Sequence, residues 1–241
     1  MMYEPGRLAR PLAIDGEPLE SYGCWLCSYT LGEAAPALAL SDMPGRAGGV
    51  DQTLDGPTGT AVPGRRKCEF VVATDGRPTD AMTALGRVAG KAVEVCIPDL
   101  GLCLAGRLSL GAWSVGKVSP CTLTLDAEPY ALGESKTAAS TANVEGSAWA
   151  EPVFDIEVKS ARPNVDIVLD GVRVMRVPSA SGSFAVGTRM VIDTAAHTVK
   201  VNGNLACPTL DSEWPVLRPG AHTVSCEGCD ALVTWRERYM F

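Results

Sequence analysis

Two dipeptides constrain this chain more than any other feature. Asp170-Gly171 and Asn202-Gly203 each join two runs in which apolar and polar residues alternate. Both central positions of a tight hairpin turn need positive φ, which Asn, Asp and Gly adopt most readily, so each dipeptide marks a turn between antiparallel strands. Val165, Ile167 and Leu169 lead into the first turn, and Val172 and Val174 lead out. Val199 and Val201 lead into the second, and Leu205 and Cys207 follow. Alternation with period two puts one side of a strand in a core and the other in water. Phe154, Ile156 and Val158 form another such run, and Val224 and Cys226 reach a Glu227-Gly228 turn from which Ala231, Val233 and Trp235 return. Six or more short strands within about 95 residues predict a β-sandwich.

The first half shows the same period with one interruption. Cys68, Phe70 and Val72 share a face, as do Val93, Val95 and Ile97, and Cys121, Leu123 and Leu125. The 25 glycines and 17 prolines suit a β-rich chain with many turns. A helix is expected before Gly90: Thr79 or Asp80 can cap it, Met82, Leu85 and Val88 recur near a helical period, and Gly90 can take the left-handed stop. The N-terminal part therefore reads as a sheet with one short amphipathic helix lying on it. The composition changes from Glu134 to Glu151, and Glu134 to Thr141 is small and polar without a periodic apolar face, which predicts a linker or a long connecting strand between two domains, 1–135 and 136–241.

The remaining composition excludes classes. At 46% hydrophobic residues the chain is too apolar for disorder, and a formal net charge of −7 argues against a dedicated nucleic-acid binder. No run of 18 apolar residues occurs, so no membrane-spanning helix is expected. Met1 to Arg7 show no basic stretch followed by an apolar core, so folding in a cytoplasm is expected. Nine cysteines are an odd number scattered over a long chain, which reads as small buried thiols rather than a disulfide framework. Cys24/Cys27 and Cys226/Cys229 have the C-x-x-C spacing from which a four-thiolate zinc site could be assembled, but the apolar residues inside the first pair suit a strand better, and Glu227-Gly228 suits a hairpin turn.

No chemistry-bearing constellation emerges. His197 and His222 sit at turns without a neighbouring Ser or Cys in a nucleophile pattern. Gly45 to Gly49 lacks the Gly-Lys-Ser/Thr ending of a phosphate loop, so it reads as a hairpin tip. Asp51/Asp55 and Asp166/Asp170 are spacings expected by chance among 28 acids, and no calcium loop occurs. Arg65-Arg66-Lys67 is the one basic run; it reads as a solvated strand edge or a contact for a phosphate or an acidic partner. Trp214 and Trp235 are core residues or a sugar-stacking platform. No catalytic residue, metal ligand or cofactor-binding residue is expected.

Read in order, the motifs resemble the distal tail protein (Dit) family of siphovirus tail components, encoded by phages or prophages. Ile14-Asp15-Gly16 and Ser21-Tyr22-Gly23 are similar to the family's opening strand and turn. Met43 to Asp51 is similar to its Pro-Gly-Arg loop, with one extra small residue. Leu85 to Val95, Gly106-Arg107-Leu108 and Asp126 to Tyr130 follow, then Asn143 to Gly146, Ala150 to Val153, Trp214 to Gly220 and Val233 to Tyr239. The resemblance implies a mainly β chain: an N-terminal split-barrel-like sheet with one α-helix, and a C-terminal galectin-like β-sandwich. It implies a non-enzymatic virion protein of the tail tip, assembled in the host cytoplasm. That protein forms a hexameric ring joining the tail tube protein to the baseplate, the tail-associated lysin or fibre hub, or a receptor-binding protein. DNA passes through the ring without specific binding, and neither membrane nor cofactor is involved. Pro44, Gly45, Arg46 and Gly49 become the candidate inter-subunit or tube-docking loop, with Arg65, Arg66 and Lys67 as the basic contact. The His-x-Asn-x-Arg run with which galectins grip sugar is missing, which favours protein docking over a carbohydrate-binding module used in host attachment.

Overall fold

The computed structural model describes residues 11–36, 38–41, 50–53, 55 and 61–241. Two compact units are present: Met1–Gly133 with Tyr239–Phe241, and Glu134–Arg238.

The first unit carries β1 (Ala13–Ile14), β2 (Glu17–Pro18), β3 (Trp25–Leu31), β4 (Leu40–Ser41), β5 (Val50–Asp51), β6 (Arg66–Thr74), α1 (Pro78–Gly86), β7 (Ala92–Ile97), β8 (Leu102–Trp113) and β9 (Ser119–Ala127). Antiparallel pairing runs β3–β6–β9–β8–β7–β1–β2. The alternating residues do what their period requires: Cys68, Phe70 and Val72, Val93, Val95 and Ile97, and Cys121, Leu123 and Leu125 all lie in one core, with Leu85 of α1 packed among them. Gly106 is fixed by close approach, since a Cβ there would meet the Ala127 Cα at 2.7 Å, where β8 crosses β9. The helix has its N-cap position at Arg77, two residues before Thr79 and three before Asp80. Pro78 occupies its first turn after an extended Arg77, which makes no side-chain cap, so proline geometry rather than Thr79 or Asp80 sets the start. The helix ends at Gly86 with a right-handed Arg87 as its cap, earlier than the expected stop at Gly90, which instead has φ 76° at the end of the turn that follows.

Strand β10 (Ala131–Ala138) follows, and the second unit then contains β11 (Thr141–Val144), β12 (Val153–Val158), β13 (Asn164–Leu169), β14 (Val172–Pro178), β15 (Arg189–Asp193), β16 (Thr198–Val201), β17 (Asn204–Ala206), β18 (Gly220–Ser225) and β19 (Cys229–Tyr239). The polar stretch after Glu134 is therefore largely strand: β10 and β11. Two antiparallel sheets, β17–β16–β15–β12–β19 and β11–β18–β13–β14, face each other over a core that includes Phe154, Ile156, Ile167, Met175, Met190 and Trp235. Both expected hairpin turns form. Asp170 and Gly171 have φ 51° and 81°, and Asn202 and Gly203 have φ 49° and 83°.

Candidate functional site

The basic run is divided by the pleat of its strand. Arg66 shares the inward face of β6 with Cys68 and Phe70, while Arg65 and Lys67 point outward. Strand β6 is paired on both sides, so the run lies on an interior strand and not on an edge. Arg66 is 1% exposed, and none of its three guanidinium nitrogens has a hydrogen-bond partner among the described residues. The Phe241 ring lies 4.5 Å from the guanidinium carbon. Burial pushes the Arg66 pKa down. Arg65 is tied to Asp126, with its Nε 3.2 Å from the carboxylate and its Nη2 2.5 Å from the main-chain oxygen. These two residues help line an open groove of about 610 Å³ with Asp15, Glu94, Arg107 and Glu128. Pro44, Gly45, Arg46 and Gly49 lie outside the described residues.

In the second unit both sequence-flagged histidines are engaged. The His222 ring lies 2.7 Å from the Asp170 carboxylate through Nδ1 and 2.7 Å from the Arg218 carbonyl oxygen through Nε2. The same carboxylate accepts from the Thr223 amide at 2.8 Å. The His222 hydrogen bond, followed by that amide, holds the Asp170 carboxyl below its ordinary range. The pair thus fastens the Asp170-Gly171 turn to β18. His197 stacks on Trp214 with ring centroids 4.8 Å apart. Trp214, Glu213, Arg218 and His222 line a small cleft of about 270 Å³. Trp235 is a core residue, 4% exposed.

A buried carboxylate escaped the sequence reading. Glu237 is 1% exposed and lies on the inward face of β19, two residues beyond Trp235. It accepts hydrogen bonds from the Gly146 amide at 2.6 Å and from Trp235 Nε1 at 3.1 Å, and Lys136 Nζ lies 3.2 Å away. Burial by itself raises this carboxyl, but the bonds from Trp235, the Gly146 and Glu145 amides and Lys136 outweigh it, so the net shift is downward. The signal was present: Val233, Trp235 and Glu237 share one parity of an alternating strand.

The cysteines differ from expectation in one place. Cys96 and Cys103 face each other across β7 and β8 and form a disulfide, a pairing that their scatter along the sequence did not disclose. Cys24 is buried, which pushes its thiol up to about 11. Cys27 supplies the extra residue of a bulge in β3, between the Leu26 and Ser28 pairings. Among the described residues, Glu94, Cys96 and Cys103 alone bring three potential metal-ligand atoms together, and both sulfurs there are bonded to each other.

The outward face of the five-stranded sheet carries a cross-strand row. Leu205, Lys200, Val191, Asp155 and Leu232 occupy successive registered positions. Leu205, Val191 and Leu232 are exposed, so the row mixes apolar contact area with one charge of each sign.

Residues 145–239 match the family model of the siphovirus-type tail component, C-terminal domain. No curated protein matches the chain. Among solved structures, the crystal structure of Dit from phage SPP1 is similar over 97% of this chain and 100% of that one, with a TM-score of 0.74 and 17% identity. That protein is a paradigm of the hub adsorption apparatus in phages that infect Gram-positive bacteria. At that identity the likeness is one of fold.

Proposed function

We propose, for a chain whose residues 145–239 match the model of the siphovirus-type tail component, that it is a structural protein of a phage tail tip. In this reading it forms a hexameric ring that joins the tail tube to the baseplate or fibre and leaves a channel for DNA. The observation that carries the reading is the fold correspondence with SPP1 Dit across both units, not only across the family-matched domain. A closed ring needs two different complementary patches on each subunit. Sheet edges and a registered outward row such as Leu205–Val191–Leu232 are the kind of surface that supplies them. A net charge of −7 suits a wall past which DNA moves without sticking. Its neighbours are then the tail tube protein on one side and a lysin, fibre hub or receptor-binding protein on the other.

Immunogold labelling of intact particles tests the reading. Antibody against this chain labels the tail end distal to the capsid; label along the tube or at the capsid vertex overturns it. A carbohydrate-binding sandwich is the second reading, and the cleft beside Trp214, Glu213 and Arg218 is where it would act. Trp235 is withdrawn from it by burial, and one Trp214 face is already stacked on His197. Glycan-array binding that is lost in Trp214→Ala would establish that reading in addition.

A further inference from the structure

Cys226 and Cys229 close the turn between β18 and β19. The Cys229 amide donates to the Cys226 carbonyl oxygen at 3.2 Å, the i to i+3 bond of a tight turn. Such a bond holds the two Cα atoms within about 7 Å, and a disulfide spans about 4.4–6.8 Å between Cα atoms. Both cysteines carry free thiols. The turn is held from behind. The Gly228 carbonyl oxygen accepts from the Lys159 amide at 2.9 Å and from the Ser160 amide at 3.1 Å. Gly228 itself has φ 60°, and a Cβ there would meet Arg162 Nη2 at 2.6 Å, so the chain passes hard against that guanidinium.

Arg162 also places Nη1 4.0 Å from Cys229 Sγ, and its buried Nε has no partner among the described residues. The guanidinium thus sets a positive charge beside the Cys229 sulfur, on the side where a low-mass disulfide would be attacked. Burial differs between the two sulfurs: Cys226 is 8% exposed, and Cys229 is more accessible. The geometry points to a built dithiol, a modification site that low-mass disulfides such as oxidised glutathione convert into an intramolecular Cys226–Cys229 disulfide.

The steps balance. The Cys229 thiolate attacks one sulfur of the glutathione disulfide, forming a mixed disulfide and releasing one glutathione thiolate. Cys226 then loses its proton to solvent and attacks Cys229 Sγ. The Cys226–Cys229 bond forms, and the second glutathione thiolate leaves. Two protein thiols are oxidised and one low-mass disulfide is reduced to two thiols. Burial raises the Cys226 thiol and withdraws it from low-mass disulfides in solution, so the first attack falls to Cys229, and the tight turn supplies the proximity for the second step.

The test is native protein treated with oxidised glutathione at neutral pH, followed by alkylation without reduction and peptide mass mapping. The expected product is a Cys226–Cys229 linkage, formed faster than modification at buried Cys24, Cys68 or Cys121. Cys226→Ser is expected to stop at the glutathione adduct on Cys229, and Cys229→Ser to leave Cys226 unmodified. Arg162→Gln is expected to slow adduct formation several-fold while far-ultraviolet circular dichroism stays unchanged. A stable glutathione adduct on Cys229 in the unaltered protein overturns the pairing. Equal reaction rates at Cys229 and Cys226 overturn the assignment of roles.

Discussion

Among the described residues, each unit of this molecule buries one formally charged side chain, and the two are treated in opposite ways. Glu237, in the sandwich, is surrounded by donors: the Gly146 amide, Trp235 Nε1 and Lys136. Arg66, in the first unit, has an aromatic ring over its guanidinium carbon and no hydrogen-bond partner among the described residues. Removing a charge from water is costly unless fixed dipoles and counter-charges replace the lost hydration. Glu237 therefore belongs to the architecture of the sandwich, while Arg66 is an expense that the first unit carries. The same substitution at the two places is expected to have opposite signs.

The largest effect is expected from Glu237→Met. It leaves the Gly146 amide, the indole N–H and Lys136 facing an apolar side chain, and costs about 3 kcal/mol in a urea titration of the purified protein. A loss under about 0.5 kcal/mol means that water replaces the carboxylate without penalty, and the contrast with Arg66 fails. Reducing Cys96–Cys103, or replacing both residues by Ser, is expected to cost about 2.5 kcal/mol from the loss of its loop constraint, read the same way. Gly146→Ala drives a Cβ into the Arg238 main chain beside the Glu237 site, and is expected to cost about 2 kcal/mol by differential scanning calorimetry. Arg66→Met is expected to be neutral or to stabilise by about 1 kcal/mol, the cation–π contact with Phe241 offsetting part of the gain. A loss of 3 kcal/mol there would show that Arg66 has a partner after all.

A titration sharpens the same comparison. The Glu237 carboxyl is lower in the folded chain than its ordinary 4.5, so the folded state holds this proton more weakly than the unfolded one. Its contribution is complete above the ordinary value and is lost as pH falls through the lowered one. Asp166 is lowered likewise by its two bonds from Arg176, each 2.7 Å, and loses its contribution in the same direction. The urea midpoint is expected to fall as pH drops from about 5 to about 3, and Glu237→Gln to flatten that slope. Arg66 contributes nothing in this window, so Arg66→Met leaves the slope unchanged.

What the sequence disclosed follows from the range over which each cue acts. Asp170-Gly171 and Asn202-Gly203 decide their turns locally, and the alternating runs decide which side of each strand is buried, so both were readable. The parity of Cys68 and Phe70, and of Val233 and Trp235, also puts Arg66 and Glu237 on inward faces, but the basic run reads as a solvated edge and a lone glutamate in a strand reads as a surface residue, so neither burial was legible. The partners of Glu237 come from Lys136 and Gly146, about a hundred residues earlier in the chain, and no local pattern joins them. The Cys96–Cys103 disulfide depends on the register between β7 and β8, which a two-strand pattern does not fix by itself. The tail-component resemblance depended on the order of many weak motifs, and its C-terminal half is the part that the family model matches.

The central claim is assembly, and native mass spectrometry of the purified chain with its tail tube protein tests it most directly. The account predicts a discrete species of six copies, visible as a ring with an open centre in negative stain. A chain that stays monomeric at high concentration and in the presence of the tube protein contradicts it.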